Sequence, residues 1–100
     1  MSKKLTPTQI KYLRGLAHGL NPIVTIGNNG VTESVLAELD RSLAHHELLK
    51  VKIAAGERED RKAVIDYLIQ NSGASLVQAI GKTVVLYRAA QPPELELPNK

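Results

Sequence analysis

The chain has 100 residues, the length of a single domain, and a formal net charge of +3. Hydrophobic residues make up 43% of it, but it contains three tyrosines, no phenylalanine and no tryptophan, so aliphatic side chains must form the core. This composition argues against a nucleic-acid-binding surface of stacked aromatic rings. The absence of cysteine excludes disulfides, thiolate metal sites and cysteine nucleophiles.

Charged residues in the first part of the chain are all basic. Residues 1–30 contain Lys3, Lys4, Lys11 and Arg14 and no carboxylate. Binding of an anionic partner and simple solubilisation explain this distribution equally well. No apolar run follows the first lysines, and none in the chain approaches the ~20 residues of a membrane span. We therefore expect a soluble cytoplasmic protein without a membrane partner, and we expect it to be a monomer.

A first helix is predicted to begin at Thr6. This residue is a suitable N-cap, Pro7 fits the first helical position, and Gln9 completes a capping box. Gly19 and Pro22 are expected to end the helix. Apolar residues at helical spacing form its predicted buried stripe: Ile10, Leu13, Leu16, Ala17 and Leu20.

A short strand from Ile23 to Ile26 leads directly into the loop Gly27-Asn28-Asn29-Gly30. A second helix follows at once, with Thr32 and Glu33 at its start and its end near His45-His46. Four aliphatic residues at helical spacing form its predicted buried face: Val35, Leu36, Leu39 and Leu43.

The segment from Glu47 to Ile53 alternates between apolar and basic residues, which predicts a strand with one wet, basic face. Lys50 and Lys52 lie on that face. A third helix is predicted after the charged residues 57–62 and ends near Gly73.

The last predicted elements form a hairpin. Its strands run from Leu76 to Ile80 and from Thr83 to Arg88, and Gly81-Lys82 suits a type II′ turn. Both strands are apolar on both sides, so their faces cannot be assigned. Residues 91–100 contain three prolines and no periodicity, and we expect a disordered tail after a single domain at residues 1–90.

The predicted element order is α-β-α-β-α-β-β, an α/β fold with an α+β-like, two-layer arrangement. A helical crossover should make the first two strands parallel, and the final hairpin must be antiparallel. A mixed four-stranded sheet packed with helices follows from these connections. They do not determine the order of the strands.

The Gly27–Gly30 loop is the first candidate site. A strand, a GxxG loop and a helix N-terminus together suit a phosphate group, because the loop is open and the helix start presents free N–H groups. The alternative is a simple turn, since Asn-Gly is a favoured turn pair. A GxxG pattern alone does not separate these interpretations.

Four cations are the second candidate set: Lys11, Arg14, Lys50 and Lys52. Taken singly, each of these residues could simply be a solvated surface cation. Their occurrence together with a loop that suits an anion favours RNA or DNA as the ligand. The cluster His45-His46-Glu47 suggests metal or acid–base chemistry, but adjacent helical residues point about 100° apart and cannot easily chelate one ion. No HExxH, P-loop or nucleophile-elbow motif is present. We therefore expect no enzyme, no metal site and no cofactor.

Taken together, these motifs resemble the CRM domain, the chloroplast RNA splicing and ribosome maturation family, and are most similar to its bacterial stand-alone, YhbY-type members. The resemblance covers about residues 3 to 89. The stretches that carry it are Leu5-Thr6, Leu13-Arg14, Ile26-Gly-Asn-Asn-Gly-Val31, His46-Glu-Leu-Leu-Lys-Val-Lys52, and Gly81 with Leu86-Tyr87-Arg88.

The resemblance implies an RNA-binding module with a fold similar to the C-terminal domain of translation initiation factor three. For bacterial members it implies association with precursors of the large ribosomal subunit, so ribosomal RNA is the expected partner. The family's GxxG motif maps onto Gly27, Asn28, Asn29 and Gly30. Many members have a basic residue inside this loop, whereas both middle residues here are asparagine. Binding by this loop would therefore rest on backbone N–H groups and side-chain amides, with nearby cations supplying the charge. The alternative is a protein-interaction module of the assembling ribosome that does not recognise RNA directly.

Overall fold

The computed structural model describes residues 5–27, 30–54, 58–90, 93 and 95–98. The α-β-α-β-α-β-β order is confirmed. The elements are α1 (Pro7–Ala17), β1 (Pro22–Ile26), α2 (Glu33–His46), β2 (Leu48–Ile53), α3 (Arg58–Ser72), β3 (Ser75–Ile80) and β4 (Thr83–Tyr87). None of the helices in this described part combines the length and the apolar character needed to cross a membrane.

The four strands form one mixed sheet in the order β1-β2-β4-β3. As predicted, β1 and β2 are parallel, and β3 and β4 are an antiparallel hairpin. β4 also pairs with β2 in antiparallel orientation, so the last strand of the chain lies in the interior of the sheet. This interior position explains why β4 is apolar on both sides, because four of its five residues are buried beneath the helices on the two faces of the sheet.

One face of the sheet carries α2 and α3. The predicted alternation in β2 is confirmed, since Leu49, Val51 and Ile53 are all buried in the core on this face. The predicted face of α2 is also confirmed. Leu39 and Leu43 are fully buried, and Val35 and Leu36 pack at the margin of the same core. The helices α2 and α3 therefore form one layer against this face of the sheet.

The opposite face carries α1 over part of its area, and we call it the α1 face. The α1 capping box is present, with the Gln9 amide donating to Thr6 Oγ1 (3.1 Å) and the Thr6 amide donating to Gln9 Oε1 (3.0 Å). A second core lies beneath the helix and consists of Leu13, Ala17, Leu48, Val77, Val85 and Tyr87.

The outer part of the predicted α1 stripe is not buried. Leu16 is 40% exposed, whereas Leu13 and Ala17 are buried. Leu20 is 39% exposed and lies beyond the last residue of α1, so the predicted stripe is longer than the helix. A single helix can bury only the stripe that faces the sheet, because no second helix flanks it there among the described residues. The apolar side of α1 is therefore wider than the surface it covers.

The C-terminal segment differs from the disordered tail that the sequence predicts. Leu95 and Leu97 pack at the margin of the second core. The side-chain amide of Gln9 donates to the Pro98 carbonyl (2.9 Å), which joins this segment to the start of α1. Sequence periodicity could not show this contact, because it depends on isolated side chains of an irregular segment. Residues 91, 92, 94, 99 and 100 lie outside the described residues, and the domain boundary at residue 90 stays a prediction.

Candidate nucleic-acid interface

The Gly27–Gly30 loop lies at one end of the sheet, which we call the loop end. The Ala54 amide donates to the Ile26 carbonyl (2.8 Å), so the chain leaving β2 adjoins the start of the loop. The Ile53 amide donates to the Lys82 carbonyl (2.7 Å), which brings the β3–β4 turn to the same end. The sheet therefore groups the predicted loop with Lys82, a cation that the sequence analysis did not select.

The loop closes as a tight turn. The Gly30 amide donates to the Gly27 carbonyl (3.0 Å), and Gly30 has a φ of +72°, which L side chains rarely adopt. Gly27 does not have a positive φ. A Cβ atom added at either glycine would meet no atom within 4 Å, so the space beside both glycines is open. Asn28 and Asn29, the predicted contact residues between them, lie outside the described residues.

The N-terminus of α2 follows the loop. Thr32 is its N-cap, as predicted, and Thr32 Oγ1 accepts a hydrogen bond from the Val35 amide (3.2 Å). Glu33 places a carboxylate in the first turn, where it interacts favourably with the helix dipole. The cap and this carboxylate both reduce the attraction of the helix start for an external anion. Most of the positive charge for such an anion must therefore come from neighbouring cations.

Lys50 and Lys52 lie on the α1 face of β2, opposite the buried aliphatic residues of that strand. Lys52 is exposed and lies between Thr25 of β1 and Thr83 of β4. Lys50 is half-buried, one pleat further from the loop end. Side chains on one face of a strand are about 7 Å apart, so the two ammonium groups can contact successive anionic groups. Within the described residues, neither lysine forms an ion pair.

Lys11 and Arg14 are exposed on α1, beside its buried stripe. His18 follows Arg14 by one helical turn, and its amide donates to the Arg14 carbonyl (3.0 Å). His18 also lines a cavity with Lys50. The α1 cations and the β2 lysines therefore belong to one face of the molecule, with His18 between them. His18 was not among the predicted contact residues, although its spacing from Lys11 and Arg14 places all three on one side of the helix.

Arg88, one of the residues that carry the family resemblance, is occupied within the fold. Its Nη1 donates to Asp40 Oδ1 (2.8 Å) and to the Ser72 carbonyl (2.8 Å), and its Nη2 donates to the Asp40 carbonyl (3.0 Å). These bonds join the end of β4 to α2 and to the end of α3. Arg88 is therefore a structural cation and does not add to the exposed basic set.

The cluster His45-His46-Glu47 marks the end of α2, as predicted. The two imidazole rings are in edge-to-face contact, with centroids 4.9 Å apart. The described residues contain no group of three or more side chains that could hold a metal ion.

Glu47 is buried, has a φ of +61°, and accepts a hydrogen bond from the Leu95 amide at Oε2 (3.3 Å). Burial raises the pKa of the nearby Tyr87 phenol, and the negative charge of Glu47 raises it further.

Comparison with known proteins defines the class to which this fold and site correspond. The model of the CRS1 / YhbY (CRM) domain matches residues 5–88. The chain therefore belongs to the CRM domain family, as the sequence motifs indicated.

Two relatives are similar to this chain over nearly their whole length. An "RNA-binding protein" of Haemophilus influenzae is 46% identical over 96 residues, which is 96% of this chain and 97% of the relative. The "Probable RNA-binding protein YqeI" of Bacillus subtilis is 37% identical over 95 residues, which is 94% of this chain and 99% of the relative.

One solved structure confirms the fold. The solution structure of a hypothetical Staphylococcus aureus protein, described as a candidate RNA binder, matches with a TM-score of 0.81 and 38% sequence identity. The match covers 95% of this chain and 100% of that protein. The mixed four-stranded sheet with three helices is thus the fold of this domain in a relative as well.

Proposed function

We propose that this chain is a non-enzymatic RNA-binding protein that acts in assembly of the large ribosomal subunit. The observation that carries the proposal is the position of Lys52, which is exposed and unpaired among the described residues, beside the open glycine turn at the loop end. The names of the relatives support RNA as the ligand. Ribosomal RNA and the large-subunit precursor rest on the family resemblance. The proposal includes a cytoplasmic location and a monomeric state, both expected from the sequence.

In this mechanism, RNA phosphates bind across the loop end and the α1 face. Gly27 and Gly30 allow the RNA backbone to approach the main chain, and Asn28 and Asn29 offer amide hydrogen bonds. Lys50 and Lys52 neutralise phosphates beside the loop, and Lys11 and Arg14 extend the cationic track along α1. Phosphate contacts of this kind position RNA without reading its sequence. The proposed contact residues are Gly27, Asn28, Asn29, Gly30, Lys11, Arg14, Lys50 and Lys52.

The competing function is a protein-interaction module of the assembling ribosome. One observation favours it. Tyr12 and Leu16 lie four residues apart on α1 and are 41% and 40% exposed, and Leu20, just beyond the end of the helix, is 39% exposed. Such a half-exposed apolar stripe suits a protein partner better than a phosphate backbone. A protein-docking module of this kind should bind RNA weakly and independently of Lys50 and Lys52.

Salt-titrated RNA binding tests the proposal. Each phosphate neutralised on single-stranded RNA contributes about 0.7 to the slope of log affinity against log salt. We expect the Lys50→Gln, Lys52→Gln double variant to bind a large-subunit ribosomal RNA fragment more weakly and to lower that slope by about 1.4. Fluorescence anisotropy across a salt series measures both quantities.

Arg41→Gln is a control for the loss of charge. Arg41 is exposed on α2, which packs on the opposite face of the sheet. This variant should keep the wild-type slope. An unchanged slope in the lysine double variant, or loss of slope in both variants, would contradict the proposed interface. Ultraviolet crosslinking in cells, followed by sequencing of the bound RNA, tests the ribosomal partner separately.

A further inference from the structure

An open cavity of about 220 Å³ lies on the α1 face, beside the C-terminal end of α1. Three strands and the helix end contribute its lining, which consists of His18, Lys50, Gln78, Ile80, Thr83 and Val85. Lys50 is the only one of these residues that the proposed RNA contacts include. The cavity is therefore a separate feature next to the cationic track.

Strand pairing arranges the cavity as two rows across the sheet. The first row places Gln78 of β3 beside Val85 of β4, and Val85 beside Lys50 of β2. The second row places Ile80 beside Thr83, and Thr83 beside Lys52. Adjacent strands are about 4.8 Å apart, so each row spans roughly 10 Å from β3 to β2. Each row therefore begins at a side chain of the edge strand β3 and ends at a lysine of β2.

The chemistry of the lining is mixed. Ile80 is 64% exposed, the largest exposed fraction among the large apolar side chains of the described residues. Val85, in contrast, is buried and forms an apolar floor. The Gln78 amide and the Thr83 hydroxyl form no hydrogen bond within the described part of the chain, so both can bond to a ligand. No carboxylate lines the cavity.

We propose that this cavity binds one unstacked nucleobase of a single-stranded RNA segment. The flat face of the base packs on Ile80 and Val85, and the Gln78 amide and Thr83 hydroxyl bond to its polar edge. Lys50 and Lys52 then hold the adjoining phosphates. A nucleotide fits this arrangement because it joins an apolar face and a polar edge to an anionic group, and the cavity offers partners for all three. The inference rests on the proposed RNA-binding function and adds base contact to backbone contact.

The amide and hydroxyl give this site its recognition chemistry. An amide side chain offers both donors and an acceptor, and a hydroxyl can donate or accept, so the pair can bond the edge of an unpaired base. Packing of a base on an aliphatic side chain is weaker than stacking on an aromatic ring, and we expect the base to raise affinity by about tenfold.

A matched pair of RNA probes tests the inference. One is a ten-nucleotide oligouridylate, and the other is the same ribose-phosphate chain with abasic central positions. We expect the wild-type protein to bind the first about tenfold more tightly, with the same salt slope for both. Gln78→Ala and Ile80→Ser should each remove most of this preference while leaving affinity for the abasic chain unchanged.

Gln70→Ala is the matched control, because Gln70 is exposed on α3, on the other face of the sheet. It should keep the tenfold preference. Equal binding of both probes by the wild-type protein, or an undiminished preference in Gln78→Ala and Ile80→Ser, overturns the base site but leaves backbone binding intact. Failure of the wild-type protein to bind either probe or ribosomal RNA overturns the proposed function and the base site together.

Discussion

At the residue scale, the two glycines of the loop differ in what the fold requires of them. Gly30 has a φ of +72°, so a side chain there would strain the backbone. Gly27 has no positive φ, and a Cβ atom added to it would meet nothing within 4 Å. The free protein thus gives a conformational reason for Gly30 but none for Gly27. The proposed close approach of the RNA backbone would supply a reason for Gly27.

Alanine substitutions separate these two roles. Gly30→Ala should lower the free energy of unfolding by about 1–2 kcal/mol, the cost of a left-handed conformation for an L residue. Gly27→Ala should leave the free energy of unfolding unchanged but weaken RNA binding, because its methyl group occupies the open space beside the loop. Urea denaturation and RNA titration of both variants measure these effects. Normal RNA binding by a folded Gly27→Ala variant would contradict the close approach.

Glu47 shows strain that several bonds offset. A φ of +61° costs a non-glycine residue roughly 1–3 kcal/mol. Its amide donates to the Leu43 carbonyl (2.9 Å), and its carbonyl accepts from the Arg88 amide (2.8 Å). Its carboxylate accepts from the Leu95 amide (3.3 Å). These bonds keep a buried negative charge beside the core tyrosine.

The Tyr87 phenol should make stability depend on pH in alkaline solution. Its pKa is raised above the ordinary value of 10.0, chiefly by burial and further by Glu47. Below pH 10 the phenol is neutral in both the folded and the unfolded chain. As pH rises above 10, the unfolded chain loses this proton first, so the free energy of unfolding should fall until the folded chain also titrates.

Urea denaturation across this pH range measures the fall. Tyr87→Phe should remove the share of this alkaline loss of stability that comes from the phenol. Glu47→Gln should reduce that share, because it removes the negative charge beside the phenol but leaves the phenol buried. An identical alkaline loss in the wild-type protein and Tyr87→Phe would contradict the assignment.

At the element scale, residues 95–98 of the C-terminal segment pack along the margin of the second core, and we call them the strap. It holds Leu95 and Leu97 at the margin of that core, and the bond from Gln9 to the Pro98 carbonyl fixes its far end to α1. The described residues of the segment, 93 and 95–98, have no regular secondary structure, so these side-chain and cap contacts are what position them. Substitution of these side chains therefore measures how much the segment contributes to the free energy of unfolding.

The Leu95→Ala, Leu97→Ala double variant should lower the free energy of unfolding by about 2 kcal/mol. Full burial of a leucine contributes roughly 1.5–3 kcal/mol, and each of these two is only partly buried. Glu96→Ala, at an exposed position between them, should have little effect. Urea denaturation compares the variants. Equal stability of the double variant and Glu96→Ala would show that the strap does not dock in solution.

At the scale of the whole molecule, much of the fold could be predicted because the signals are local. The α1 capping box, the Thr32 cap and the alternation around Lys50 and Lys52 all depend on residues a few positions apart. The parallel pairing of β1 and β2 also followed from chain connectivity. The C-terminal strap could not be predicted, because its contacts join residues far apart in the chain and follow no period.

The candidate site was predicted only in part. The sequence indicated the loop and four cations, but not that Lys82 adjoins the loop end or that His18 and Lys50 line one cavity. The first depends on the pairing of β4 with β2, and the second on the packing of α1 across β2 and β3. The apolar pattern of β4 indicated burial on both sides without saying which strands would flank it.

The sequence by itself therefore determined the elements, their caps, the basic face of β2 and the family of the protein. The reason is that turns, caps and side-chain alternation are properties of neighbouring residues. Only the tertiary structure decided the strand order, the docking of the strap and the two rows of side chains that form the cavity. Strand order follows from which surfaces can be buried together, and that balance involves the whole chain at once.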